Sequence, residues 1–203
     1  MQPRGAGRRV RSATGAMRII AGALKGRRLV TPRGATTRPT ADQVRIALMD
    51  TLAPRLPGAS VLDLFAGAGG VGLEALSRGA GQATFVEHDP RAVAALRQNV
   101  EALGVGPLAR VRRADVLREL PALYRAGELF DIVFLDPPYD VGLVETTLDV
   151  LGGGGLLRRE GLVVAQHFTK RPPATTIGAL AAFRTRRFGE TTLTFYRAAP
   201  GTG

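Results

Sequence analysis

From Ser60 onward, short runs rich in β-branched and aromatic residues alternate with helical stretches, and no other feature constrains the fold as tightly. The strand-like runs are SVLDLF (60–65), ATFVEH (83–88), ARVRRA (109–114), FDIVFLD (130–136) and LVVAQHF (162–168). Helical segments lie between them at 71–79, 90–103, 116–125 and 142–151. Such alternation predicts parallel strands joined by right-handed crossovers, with helices on both faces. Two further runs, FRTRRF (183–188) and TLTFYR (192–197), have Gly189 and Glu190 between them and form an antiparallel hairpin at the sheet's edge or interior. The expected architecture is α/β and Rossmann-like, a mostly parallel seven-stranded sheet with a C-terminal antiparallel hairpin.

The 203 residues, 45% of them hydrophobic, suffice for one domain with a sizeable core, expected over 17–198. Residues 1–16 are rich in Gly, Arg and Ala without periodicity and are expected to be a disordered basic tail, with 199–203 a second tail. Met1 and Met17 both stand as candidate starts. Within a 17–35 extension, RIIAGALKGRRLV (18–30) places two apolar runs around Gly22 and Gly26, which predicts a small N-terminal β-hairpin with outward arginines. Thr40, with Gln43 three residues on, reads as a capping box opening a helix whose face is Val44, Leu48 and Leu52. The absence of cysteine excludes disulfides and thiolate chemistry, and His88 and His167 alone do not make a metal site. Without a long apolar run or a secretory signal, the expectation is a soluble, cytoplasmic, metal-free monomer with no membrane partner.

The net charge of +11 is unevenly spread. Residues 1–45 hold eleven Arg or Lys against one acid, Asp42, whereas the other 158 residues carry 17 basic and 16 acidic groups. A basic end on a nearly neutral body is the footprint of a polyanion binder. Arg18, Lys25, Arg27, Arg28, Arg38 and Arg45 are the cations expected to meet RNA, with a solvated basic face as the alternative.

In an open α/β sheet, ligands bind beyond the carboxyl ends of the strands, so the residues just after each strand carry the information. The first strand leads through Asp63 and Phe65 into Gly67-Ala68-Gly69-Gly70-Val71-Gly72, the second ends in Glu87-His88-Asp89, and the third in Ala114-Asp115. The glycine pattern with an acid 20 residues later admits a nicotinamide dinucleotide. Asp63, together with the cluster after the fourth strand, favours a methyl donor over it, because a carboxylate in that turn disfavours a pyrophosphate and suits the cationic amino group of S-adenosylmethionine. Glu87 suits ribose hydroxyls. His88 reads as a polar neighbour of that site rather than a base, and His167 as structural.

The fourth strand ends in Asp136-Pro137-Pro138-Tyr139. An exocyclic base amine is a poor nucleophile because its lone pair is delocalised into the ring. The Asp136 carboxylate and the Pro137 carbonyl can accept its hydrogens and aim that lone pair, while Pro138 stiffens the loop and Tyr139 offers a stacking face for a flipped base.

These residues resemble the bacterial 16S ribosomal RNA guanine-N2 methyltransferases. The resemblance covers residues 17–198 and rests on Met17-Arg18-Ile19-Ile20-Ala21-Gly22, Lys25-Gly26-Arg27, Arg38-Pro39-Thr40, the Asp63–Gly72 loop, Leu73–Gly79 and Asp136–Tyr139. It implies a Rossmann-like methyltransferase fold, cofactor contacts at Asp63, Gly67, Glu87 and Asp115, and the target amine at Asp136–Tyr139. It further implies 16S rRNA within the small subunit or an assembly intermediate as substrate. Ile46 stands where the family usually has an acid. Two alternatives remain on the residues themselves: an adenine-N6 DNA methyltransferase, whose target-recognition domain would have to fit in the 13 residues after Glu190, and a non-catalytic RNA-binding module.

Overall fold

The computed structural model describes residues 17–32, 39–138 and 142–198. The expected tails, Arg38 and Tyr139 lie outside the described residues, as do the side chain of Thr40 and the end of the 17–35 extension.

Helix α1 (Pro39–Leu52) leads through a short 3₁₀ turn (Ala53–Arg55) into β1 (Ser60–Leu64). Then follow α2 (Gly70–Ser77), β2 (Gln82–Glu87), α3 (Pro90–Leu103), β3 (Ala109–Arg113), α4 (Val116–Arg125), β4 (Phe130–Leu135), α5 (Leu143–Gly152) and β5 (Leu157–Phe168). The chain closes with β6 (Thr176–Ile177), β7 (Leu180–Phe188) and β8 (Thr191–Ala198). Strand order is β3-β2-β1-β4-β5-β8-β7-β6, parallel from β3 to β5 and antiparallel beyond. One apolar core lies between the sheet and α1, α2 and α3 and includes Leu48, Leu73, Phe85, Leu96 and Phe195. A second, with Leu120, Phe130, Leu148 and Tyr196, lies under α4 and α5 on the other face. Local chemistry sets the ends: Asp89 caps α3 by accepting from Arg91 N with Pro90 at the first position, and Gly104 closes it in a left-handed conformation.

Three elements depart from the sequence reading. The sheet has eight strands, not seven, because the two-residue β6 pairs with β7 through Ile177 and Leu180, too short a run to show periodicity. Helix α1 begins at Pro39, so Thr40 stands inside it rather than ahead of it. The N-terminal hairpin reduces to one bridge, Arg18 with Arg28, and three backbone hydrogen bonds: Ile19 N to Arg27 O, Gly26 N to Ile19 O and Leu29 N to Met17 O. The neighbouring amides bond to α2 instead. The fully buried Glu74 carboxylate accepts from Ile20 N (2.7 Å) and Ala21 N (2.9 Å), and Ser77 Oγ accepts from Leu24 N (3.0 Å). The segment is thus stapled to the helix that follows the glycine turn.

Candidate active site

At the carboxyl end of β1, Phe65 takes φ 59°, a left-handed conformation that bulky residues rarely adopt and that costs on the order of 1–3 kcal/mol. Gly67 (φ 56°) and Gly69 (φ 86°) continue the turn. A Cβ on Gly67 would meet nothing within 4 Å, so this stretch borders open space. Gly69 and Gly72 answer packing demands: side chains there would overlap Leu96 and the Phe85 ring. From below, Asn99 Nδ2 holds the turn by donating to Ala68 O (3.0 Å), and it also donates to Val30 O (2.9 Å).

Two buried carboxylates brace this turn. Asp63 Oδ2 accepts from Gly72 N at 2.8 Å, placing the acid at the positive end of α2. Burial, aided by the charges of Asp136 and Glu87, nevertheless pushes Asp63 up to about 8. Glu87 Oε2 accepts from Gly67 N, while its Oε1 accepts from His88 N and Asp89 N, each at 2.8 Å. His88 is itself exposed, with Nδ1 3.4 Å from Glu87 Oε1.

Asp136 stands one residue beyond β4, next to the end of β5, where Leu135 pairs with Ala165. Burial pushes its carboxyl up to about 7, opposed by a hydrogen bond from the Gln166 side chain. Pro137 is buried and Pro138 exposed. A cleft of about 220 Å³ brings Asp136 together with Asp63, Phe65, Gly67, Arg45 and Gln166. Of the other expected site residues, Glu87 reaches this cleft only through Gly67. Asp115 is exposed at the end of β3, where it caps α4 by accepting from Arg118 N at 3.1 Å.

Arg45, expected to meet RNA and to sit nearer the cofactor cleft than the hairpin arginines, lines the cleft and is only 5% exposed, with Nη2 donating to Arg18 O (2.8 Å) and Asp42 Oδ1 (3.0 Å). Burial draws its pKa down, with Asp42 and Glu74 opposing. Its Nε is buried with no hydrogen-bond partner, and a donor of that kind calls for an acceptor. Arg18, Lys25, Arg27 and Arg28 remain exposed, although Arg27 Nη2 donates to Ala102 O. Gln166 was not anticipated, because it falls inside the run 162–168. Extending the strand-end rule to the fifth strand would have found it.

A buried guanidinium with a free N–H, a carboxylate at a helix N-terminus and an open glycine turn match the carboxylate and ammonium of an amino-acid moiety carried on a nucleoside. The sheet order, the turn after β1 and the acids after β2 and β4 define the Rossmann-like fold of S-adenosylmethionine-dependent methyltransferases. The model of the family described as conserved hypothetical protein 95 matches residues 17–197. The chain is 36% identical over 181 residues to the Bacillus subtilis (strain 168) protein described as "putative rRNA methyltransferase YlbH", which covers 89% of this chain and 98% of the relative. It is 41% identical over 155 residues to ribosomal RNA small subunit methyltransferase D of Escherichia coli (strain K12), covering 76% of each. The solved structure described as "putative methyltransferase yhhF" from Escherichia coli superposes with a TM-score of 0.80 at 37% identity, over 91% of this chain and 98% of that one. The chain belongs to this family of methyltransferases.

Proposed function

We propose that this protein transfers a methyl group from S-adenosylmethionine to the exocyclic N2 amine of a guanine in 16S rRNA, within the small ribosomal subunit or an assembly intermediate. The observation that carries the reading is Asp136, a half-buried carboxyl raised to about 7 by desolvation and hydrogen-bonded by the Gln166 side chain, in one cleft with Asp63, Arg45 and the glycine turn. The relatives described as rRNA and small-subunit methyltransferases supply the substrate class.

The cofactor, when bound, supplies an electrophilic methyl group on a sulfonium. Arg45 would hold its α-carboxylate through the guanidinium, and Asp63 its α-ammonium through the oxygen not bonded to Gly72 N. Glu87, at the end of β2, and Asp115, just beyond the neighbouring β3, would serve the adenosine side, with His88 next to Glu87 and Phe65 and Gly69 shaping the turn. Ionised Asp136 and the Pro137 carbonyl accept the two N–H groups of the target amine, which aims its lone pair into the cleft. As the new N–C bond forms and the methyl–sulfur bond breaks, leaving the neutral thioether of the demethylated cofactor, Asp136 would take up the proton that the nitrogen sheds. Pro138 stiffens the loop on the base side, and Tyr139 is the residue assigned to stack on the flipped base. Arg18, Lys25, Arg27, Arg28 and Arg38 lie along the RNA backbone. The working unit is a cytoplasmic monomer built from the single domain 17–198.

Labelled cofactor offered in parallel to small subunits, free 16S rRNA and DNA tests this directly. Incorporation into small-subunit RNA, recovered after nuclease digestion as N2-methylguanosine, is expected. Label in DNA or on an adenine N6 would point to the adenine chemistry instead, and cofactor-independent RNA binding without transfer would leave a binding module.

A further inference from the structure

Helix α1 borders the cleft with Asp42 and Arg45 near its start. Its far end runs into the turn carrying Arg55, about 20 Å from Asp42 at 1.5 Å per residue. There a second cavity of about 380 Å³ opens, bordered by Arg55, Arg159, Arg197, Phe183 and Glu160. It lies toward the opposite ends of the parallel strands. Leu162, which lines it, precedes Gln166 by four residues of β5, about 13 Å of strand.

The residues around this cavity are built for a flat anion. The β7 ladder shifts between Ala182 and Arg184, so that Phe183 is the extra residue of a bulge. It packs edge-on to Phe195 (centroids 6.4 Å apart, planes at 61°) and remains 45% exposed, while the Arg197 guanidinium lies 5.5 Å from its ring centroid. Arg55 Nη1 donates to Glu160 O (2.9 Å), fixing one cation at the rim. Among the described residues, no acidic side chain lies within 4.0 Å of the guanidinium nitrogens of Arg55, Arg159, Arg184 or Arg197.

The sheet connects this cavity to the cleft. Gln166 pairs with Leu193, which pairs with Arg186, so Arg186 stands two strands from the cleft on the same face, roughly 10 Å away. Arg186 Nη1 is anchored to Ala47 O (3.0 Å) and Thr51 Oγ1 (2.9 Å) of α1, and its guanidinium lies 5.6 Å from the Phe188 centroid. Next along the same face come Arg184, opposite Phe195, and then Arg197, opposite Leu162. Leu193 and Phe195 are buried between the cleft and this row, so the surface toward the cavity is carried by the half-exposed Arg186 and the exposed Arg184 and Arg197.

We propose that this row of arginines is an RNA track, and that the far cavity takes an unpaired nucleotide flanking the target, its base stacked on Phe183 and its phosphates on Arg55, Arg159 and Arg197. The inference rests on RNA being the substrate. An exposed ring beside unpaired guanidiniums favours single-stranded nucleic acid over an acidic peptide, since bases offer π-faces that acidic side chains lack, and over a duplex, whose bases are already stacked.

Binding of a fluorescent single-stranded RNA and of small subunits to the full chain tests it, with calorimetric cofactor affinity as the control for folding. Phe183→Ala should weaken RNA binding roughly 5- to 150-fold, the range of one base stack, while Phe183→Tyr should retain it. The Arg159→Ala/Arg197→Ala double variant should flatten the logarithmic salt dependence by about 1.4, at roughly 0.7 per neutralised single-strand phosphate. Both changes should raise KM for small subunits and leave kcat and cofactor affinity unchanged. RNA affinity and salt slope equal to the parent's in both variants would overturn the proposal. If the parent methylates RNA and the variants match it, this inference alone falls; if the parent neither binds nor methylates RNA, the functional reading falls with it.

Discussion

Along segment 17–32, Arg18, Lys25, Arg27 and Arg28 are exposed, and no described acidic side chain lies within ion-pair distance of them. In the cleft and helix that this segment covers, Arg45, Asp63, Glu74 and Glu87 are each less than a tenth exposed. There the three carboxylates hold backbone amides, and Arg45 is fixed by Arg18 O and Asp42. Removing a buried charge strands its partners in a dry environment, whereas removing an exposed one only weakens a screened field. The buried set should therefore govern catalysis and stability, and the exposed set only affinity for a polyanion.

The sharpest challenge to that division is Asp136→Ala. Loss of the acceptor of the amine proton should lower kcat roughly 10²- to 10⁴-fold. Cofactor affinity should hold or rise slightly, because removing a neighbouring negative charge lets Asp63 ionise more easily. Single-turnover methylation alongside calorimetry separates the two, and near-normal turnover would remove Asp136 from the chemistry.

Glu74→Ala should cost about 3–5 kcal/mol in denaturant unfolding, because Ile20 N, Ala21 N and Arg78 Nε lose their common acceptor beside a buried helix. A cost below about 1 kcal/mol, the scale of an exposed pair, would erase the contrast between the two regions.

Titration offers a third handle. Asp136 is raised to about 7 in the ligand-free chain and acts as an acceptor only when ionised, so kcat/KM should climb about tenfold per pH unit below 7 and level off above it. A rate flat from pH 5.5 to 8.5 would contradict this. Stability should move the other way. Asp63 and Asp136 hold protons in the folded chain at pH values where the unfolded chain has released them, so the ligand-free protein should lose stability as pH rises from about 4 toward 7–8. Asp63→Asn, which keeps an acceptor for Gly72 N, should flatten part of that decline in thermal melts.

The legibility of the molecule from its sequence follows the same divide. The parallel strands and the acids at their ends were readable because short continuous apolar runs and turn glycines are local signals, and Asp63, Phe65, Gly67 and Asp136 do share one cleft. The burial of Arg45, though not its place near the cleft, escaped the reading because a charge count is blind to burial, and α1 turns that side chain inward toward Asp42 and Arg18 O. The N-terminal hairpin was overestimated because Glu74 and Ser77, more than 50 residues away, capture amides that a ladder would have used. Gln166 was within reach of the strand-end rule had it been applied to the fifth strand, whereas the Phe183 bulge depends on strand register, which no local pattern reports.

The smallest effect belongs to the exposed set. Replacing Lys25, Arg27 and Arg28 together by alanine should lower small-subunit affinity and reduce the salt slope by roughly 0.7–0.9 for each phosphate no longer neutralised. Arg27 complicates the expectation, since its bond to Ala102 O ties the segment to the end of α3, so its removal can loosen the fold a little as well as the grip on RNA. Lys25→Ala/Arg28→Ala avoids that bond and isolates the electrostatic part. In this double variant the unfolding midpoint and cofactor affinity should match the parent while the slope falls by about 1.4–1.8, twice the value for one phosphate. An unchanged slope would make these side chains a solvated surface, and the hold on RNA would then have to be carried by the arginines of β7 and β8.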